Sequence, residues 1–169
     1  MRPTAALFTH ELFKTPFAKT AHGLVRGPSR YEIVALVDRV SAGQDAGAEL
    51  DGRPRGIPTF ASLREMFERL PRRPDFVVVG IATSGGVLPP EMKALLLDVV
   101  ERGVGLVNGL HEFLSEDAAF VSAAARSGAS IVDVRKPKAR RDLHFWSGAI
   151  RDVRAAAETN AASSDRNSC

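Results

Sequence analysis

Apolar positions along this 169-residue chain alternate between two periods. Residues 76–81 (FVVVGI) form a β-branched run without polar alternation, which predicts a strand covered on both faces. Residues 33–37 (IVALV) have the same character and end at Asp38, and residues 104–107 and 131–132 are shorter versions. Residues 5–8 and 57–60 are weaker candidates. Between these runs the period becomes helical: Leu63, Met66, Phe67 and Leu70 recur at i, i+3, i+4 and i+7. Ser62 with Glu65 predicts a capping box at that helix's start. A second helix carries Met92, Leu95, Leu96, Val99 and Val100 on one side, with Pro89 and Pro90 at its first turn and Gly103 at its end. A third is expected over residues 116–126, capped by Ser115, with Phe120, Val121, Ala124 and Ala125 inward and Gly128 just past its end.

Strands alternating with helices of ten or more residues imply parallel βαβ units, because a parallel neighbour needs a long crossover. The expectation is one Rossmann-like α/β domain over residues 1–134. It is an open, mostly parallel sheet of about six strands with helices on both faces. The strand order 3-2-1-4-5-6 is expected by analogy with doubly wound sheets. Residues 135–153 read as a basic and aromatic connector, with an apolar island at Leu143, Phe145 and Trp146 that should fold back on the domain or meet a partner. Residues 154–169 have no core-forming pattern and read as a disordered tail.

Composition narrows the classes. Hydrophobic residues at 44% and charged residues at 25% are ordinary for a globular domain. The net charge of +3 is concentrated in residues 135–141, where five of seven positions are Lys or Arg, so the body is near neutral. With one Trp and one Tyr there is no basic stripe interleaved with stacking aromatics, and no nucleic-acid partner is expected. Cys169 is the single cysteine, which excludes an internal disulfide and any multi-cysteine metal site and suits a reducing compartment. The N-terminal MRPTAALFTHELF forms no signal-peptide core, and no run reaches the roughly 18 apolar residues of a membrane span. A cytoplasmic location without membrane contact is the default expectation; self-association is left open.

In an open parallel sheet, ligands bind beyond the carboxyl ends of the strands. The loop Ala82-Thr83-Ser84-Gly85-Gly86 places two hydroxyls and a glycine pair between the strongest strand and a helix start. It reads either as an anion site or as a connector that needs glycine for its turn. The next strand runs into Asn108, Gly109, Leu110, His111 and Glu112, setting an amide, an imidazole and a carboxylate on one rim. His111 is the candidate general base, with a surface hydrogen-bonding histidine as the alternative. His111 beside Glu112 lacks metal-ligand spacing, and no metal is expected. Asp38 ends a strand where dinucleotide-binding domains hold an acid for a ribose hydroxyl, yet no G-x-G-x-x-G accompanies it. Lys19 and Thr20, at a helix start, read as an anion contact or as solvated groups. The run at residues 135–141 reads as a solvated connector, with a phosphate-rich ligand as the alternative.

Four segments in order, residues 19–26 (KTAHGLVR), 82–86 (ATSGG), 107–114 (VNGLHEFL) and 133–137 (DVRKP), resemble the N-terminal Rossmann-like domain of the D-glutamate (D-amino-acid) N-acetyltransferase family, long listed as a domain of unknown function. The resemblance covers roughly residues 4–153. It implies transfer of an acetyl group from acetyl-CoA to a D-amino acid, with a larger P-loop domain following in the same chain. No G-x-x-x-x-G-K-[ST] cradle occurs in this sequence. The expectation is therefore a stand-alone or truncated half, inactive alone, that contributes a ligand-binding or docking surface and works with a P-loop domain supplied in trans. A non-catalytic nucleotide- or CoA-binding module is the alternative.

Overall fold

The computed structural model describes residues 2–137. Six strands, β1 (Thr4–His10), β2 (Glu32–Asp38), β3 (Thr59–Phe60), β4 (Phe76–Val79), β5 (Gly105–Asn108) and β6 (Ile131–Asp133), form one sheet in the order β3-β2-β1-β4-β5-β6. Every pair in it is parallel. Five helices make the connections: α1 (Lys19–Arg26), α2 (Ala46–Asp51), α3 (Leu63–Arg69), α4 (Pro90–Glu101) and α5 (Ala118–Ser127). The near-universal right-handed crossover of parallel strands puts α1 and α2 on one face and α3, α4 and α5 on the other. The order reverses between β1 and β4, so the loops after these two strands flank a crevice.

Double coverage explains the strand sequences. Leu7, Leu36, Val77 and Leu106 are fully buried in the sheet, and Met66, Leu96 and Phe120 reach them from helices. The strand at residues 5–8 was a weak candidate because Ala5 and Ala6 have low β propensity, yet it lies near the middle of the sheet, paired on both sides. At its lower end Asp75 accepts from the Thr4 amide (2.7 Å) and hydroxyl (2.9 Å), tying β1 to the start of β4.

Several helix details depart from the sequence reading. The Ser62 hydroxyl accepts from the Glu65 amide as expected, but the Glu65 carboxylate reaches the Ala61 amide, one residue outside the box. Leu95 is 39% exposed, because the α4 face that meets the sheet is Met92, Leu96, Val99 and Val100. Helix α5 begins at Ala118 under an Asp117 cap, since residues 114–116 form a separate 3-10 turn. Its buried positions are Phe120 and Ala123; Val121 and Ala125 face outward. Helix α2 has no apolar stripe and was not predicted. Its start is organised by Asp45, whose carboxylate accepts from the amides of Gly47, Ala48, Arg55 and Ile57 at 2.8–3.0 Å. The expectations for the aromatic island and the tail fall outside the described residues.

Candidate functional site

At the carboxyl end of β2, Asp38 is fully buried. One oxygen accepts from the Thr9 hydroxyl and the Phe13 amide, both at 2.9 Å. The other accepts from the amides of Val40 (3.1 Å) and Ser41 (3.0 Å). This corrects the reading of Asp38 as a ligand contact: four donors from the chain's own loops occupy the carboxylate, which fixes the loops after β1 and β2. Phe13, held by one of these bonds, is itself buried.

The loop after β4 is shaped by glycines. A side chain at Gly80 would put its Cβ 2.8 Å from the Ala21 Cβ, and the Gly80 carbonyl accepts from the Ala21 amide at 3.0 Å, so strand and helix meet at close range. Gly85 and Gly86 both have left-handed φ, near +68° and +70°, in a turn closed by the Gly86 amide on the Thr83 carbonyl (3.0 Å). The Gly86 carbonyl then accepts from both the His111 and Glu112 amides, each at 3.1 Å. The loops after β4 and β5 are thereby joined.

Asn108 and Glu112 serve this joint. The Asn108 amide donates to the Glu112 carbonyl (2.6 Å) and to Asp133 (2.8 Å), while its oxygen accepts from the Leu110 amide (3.1 Å). Glu112 accepts from the Leu88 amide (3.0 Å) and pairs with Lys93. That pairing raises the Lys93 pKa above the ordinary lysine value. Asp133 also accepts from the amides of Leu114 (3.1 Å) and Ser115 (2.8 Å). Both residues expected to meet a ligand, Asn108 and Glu112, thus have their polar atoms occupied by neighbouring loops.

What remains open is a cavity of about 400 Å³ over the ends of β4 and β5. Thr83, Gly85, Gly86, Gly109 and His111 line it, together with Thr20 from the first turn of α1. Ile81, Ala82 and Leu110 give it an apolar part. The Thr83 hydroxyl is shielded from solvent and has no hydrogen-bond partner among the described residues. Ser84 and Lys19 are exposed and do not line the cavity. Arg135 does, with its Nε donating to the Gly109 carbonyl at 2.7 Å. Sequence reasoning placed Arg135 in a solvated charge run; its position two residues beyond a strand end was the signal that could have found it.

The carboxylates that hold these loops set an acid limit on stability. For Asp133, burial pushes the pKa up, but hydrogen bonds from Asn108, Ser115 and Leu114 outweigh it and leave it below the ordinary aspartate value. Asp45 is lowered in the same way by its backbone donors. A group depressed in the folded state contributes stability that is fully present above the unfolded value, near 4, and is lost as pH falls through the folded value. The urea midpoint should therefore be level from pH 7 to about pH 5 and fall below about pH 4, with a shallower fall in Asp133→Asn.

Among the described residues, no helix is long and apolar enough to cross a membrane, and no three His, Cys, Asp or Glu side chains are grouped to hold a metal ion. A family model described as a domain of unknown function, DUF1611_N, a Rossmann-like domain, matches residues 39–137. Two curated relatives are each named D-glutamate N-acetyltransferase. The one from Tritonibacter scottomollicae is 34% identical over 61 residues, and the one from a Pseudoalteromonas species 33% identical over 60. Each match spans 36% of this chain and 18% of the relative. The crystal structure of a DUF1611 family protein from Anabaena variabilis superposes with a TM-score of 0.74 at 34% identity, covering 89% of this chain and 41% of that one. The chain thus spans about two fifths of the length of that protein. With a family model matching more than half of its residues, on the strand order that a Rossmann-like domain requires, the chain belongs to the DUF1611_N family.

Proposed function

We propose that this chain is the Rossmann-like part of a D-amino-acid N-acetyltransferase and that its cavity forms one side of the site for acetyl transfer from acetyl-CoA to D-glutamate. The observation that carries this reading is the single cavity wall on which a histidine, a guanidinium and two threonines meet at the strand ends. The names of the two curated relatives support it. In such a transfer the acceptor's ammonium gives up a proton, its nitrogen bonds the acetyl carbon, and the carbon–sulfur bond breaks to release the thiol. His111 is the base for that first proton, as it is the titratable imidazole lining the cavity. Turnover requires the further domain that the resemblance implies, a P-loop domain in the same chain or in trans.

The test is a chimera in which residues 2–137 replace the corresponding region of the Tritonibacter enzyme, assayed for N-acetyl-D-glutamate. The chimera should be active and His111→Gln should lower kcat by roughly 100-fold, the low end of what general base catalysis contributes. Unchanged kcat would reject His111 as the base, and equal activity from the 169-residue chain alone would reject the half-site reading.

A further inference from the structure

We infer that Arg135 makes this cavity a carboxylate subsite, one that takes the acid group of the amino-acid acceptor and not the phosphates of a nucleotide or of CoA. The inference rests on the reading above and adds which reactant occupies the cavity and which residue selects it.

Charge is the first ground. Among the described residues Arg135 is the one that lines the cavity with a permanent charge, and no carboxylate among them lines it. The two nearest acids in sequence, Glu112 and Asp133, have their oxygens occupied by Leu88 and Lys93 and by Asn108, Leu114 and Ser115. Counted over the described residues, the lining carries one net positive charge.

Geometry is the second. The bond from Nε to the Gly109 carbonyl anchors the guanidinium at the cavity, and its two terminal nitrogens have no hydrogen bond or ion pair among the described residues. A guanidinium anchored through Nε leaves its two terminal nitrogens free to meet the two oxygens of a carboxylate as a planar fork. Thr20 and Thr83 supply hydroxyls in the same cavity, and that of Thr83 is shielded from solvent with no partner among the described residues. Ile81, Ala82 and Leu110 offer a short apolar surface suited to the methylenes of a dicarboxylic amino acid.

The third ground separates carboxylate from phosphate. Rossmann domains hold a pyrophosphate on free amides at the first helix and on glycine loops, with an acid at the second strand for the ribose. Here the Ala21 amide is taken by the Gly80 carbonyl, the Gly86 amide by the Thr83 carbonyl, and Asp38 by four internal donors. One guanidinium opposes a diphosphate poorly, whereas it balances one carboxylate.

Calorimetry on the purified 169-residue chain tests this with D-glutamate, glutarate, inorganic phosphate, ADP and CoA as probes. D-glutamate and glutarate should bind, and Arg135→Gln should raise their Kd at least tenfold with the melting temperature within a few degrees of the parent. Arg135→Lys, which keeps the charge but loses the fork, should fall between the two. Absence of dicarboxylate binding, or a Kd indifferent to both Arg135 variants, overturns the inference, as does phosphate or CoA binding that depends on Arg135. The two readings fail separately. Arg135-dependent glutarate binding beside an inactive chimera keeps the subsite and removes the acetyltransferase reading. An active chimera whose KM for D-glutamate ignores Arg135→Gln does the reverse.

Discussion

Asp38→Ala should destabilise the domain by about 2–5 kcal/mol, because two buried amides lose a charged acceptor at about 1–3 kcal/mol each. The lost carboxylate leaves the amides of Phe13 and Ser41, both buried, and that of exposed Val40 without their acceptor, and the Thr9 hydroxyl keeps only the Val37 carbonyl at 3.2 Å. Asparagine is not a rescue, because its amide nitrogen would face donors on one side or the other. Urea or guanidinium unfolding followed by circular dichroism measures the effect. An Asp38→Asn protein as stable as the parent but deficient in ligand binding would show that the residue serves a ligand after all, contrary to its hydrogen bonding.

Gly86→Ala is the second large effect. Alanine at a left-handed φ costs about 1–2 kcal/mol, and its Cβ would sit 2.5 Å from Cδ2 and 2.9 Å from Cβ of His111. Relief by moving His111 is blocked, because the Gly86 carbonyl holds the His111 and Glu112 amides. The expected loss is about 2–4 kcal/mol, together with loss of whatever binds in the cavity. Gly109→Ala is the matched control: Gly109 lines the same cavity, has no positive φ, and a Cβ there meets nothing within 4 Å. That variant should unfold within about 1 kcal/mol of the parent, on the stable side if anything. Equal melting curves for the two variants would show that the turn at Gly86 is not built as described.

These two positions show how far pattern reading carries. Buried strands announce themselves because both faces are covered, so β2, β4 and β5 were legible from apolar runs alone. The strand β1 was harder to see, since its place beside both β2 and β4 depends on pairing and not on its alanines. Helix α2 was invisible because one aspartate, through four amides, does what an apolar stripe does elsewhere.

At the site, the strand-end rule found the cavity, and Thr20, Thr83, Gly85, Gly86, Gly109 and His111 line it. It did not say which polar residues face outward. Asp38, Asn108 and Glu112 have the chemistry of ligand contacts, but a loop that turns at a strand end has amides of its own to satisfy. Local bonding of Asn108 to the Leu110 amide is a pattern that short polar side chains favour, and it was the available warning. Arg135 was hidden for the opposite reason. Its neighbours made it look like part of a charge run, whereas its bond to Gly109 is made across 26 residues.

The double hydrogen bond at the Gly86 carbonyl makes the loops after β4 and β5 a single stiff frame instead of two independent flaps. A molecule entering the cavity therefore meets walls already in place and loses little free energy to ordering them. Among the described residues, the charged side chain that hangs from this frame's edge is Arg135.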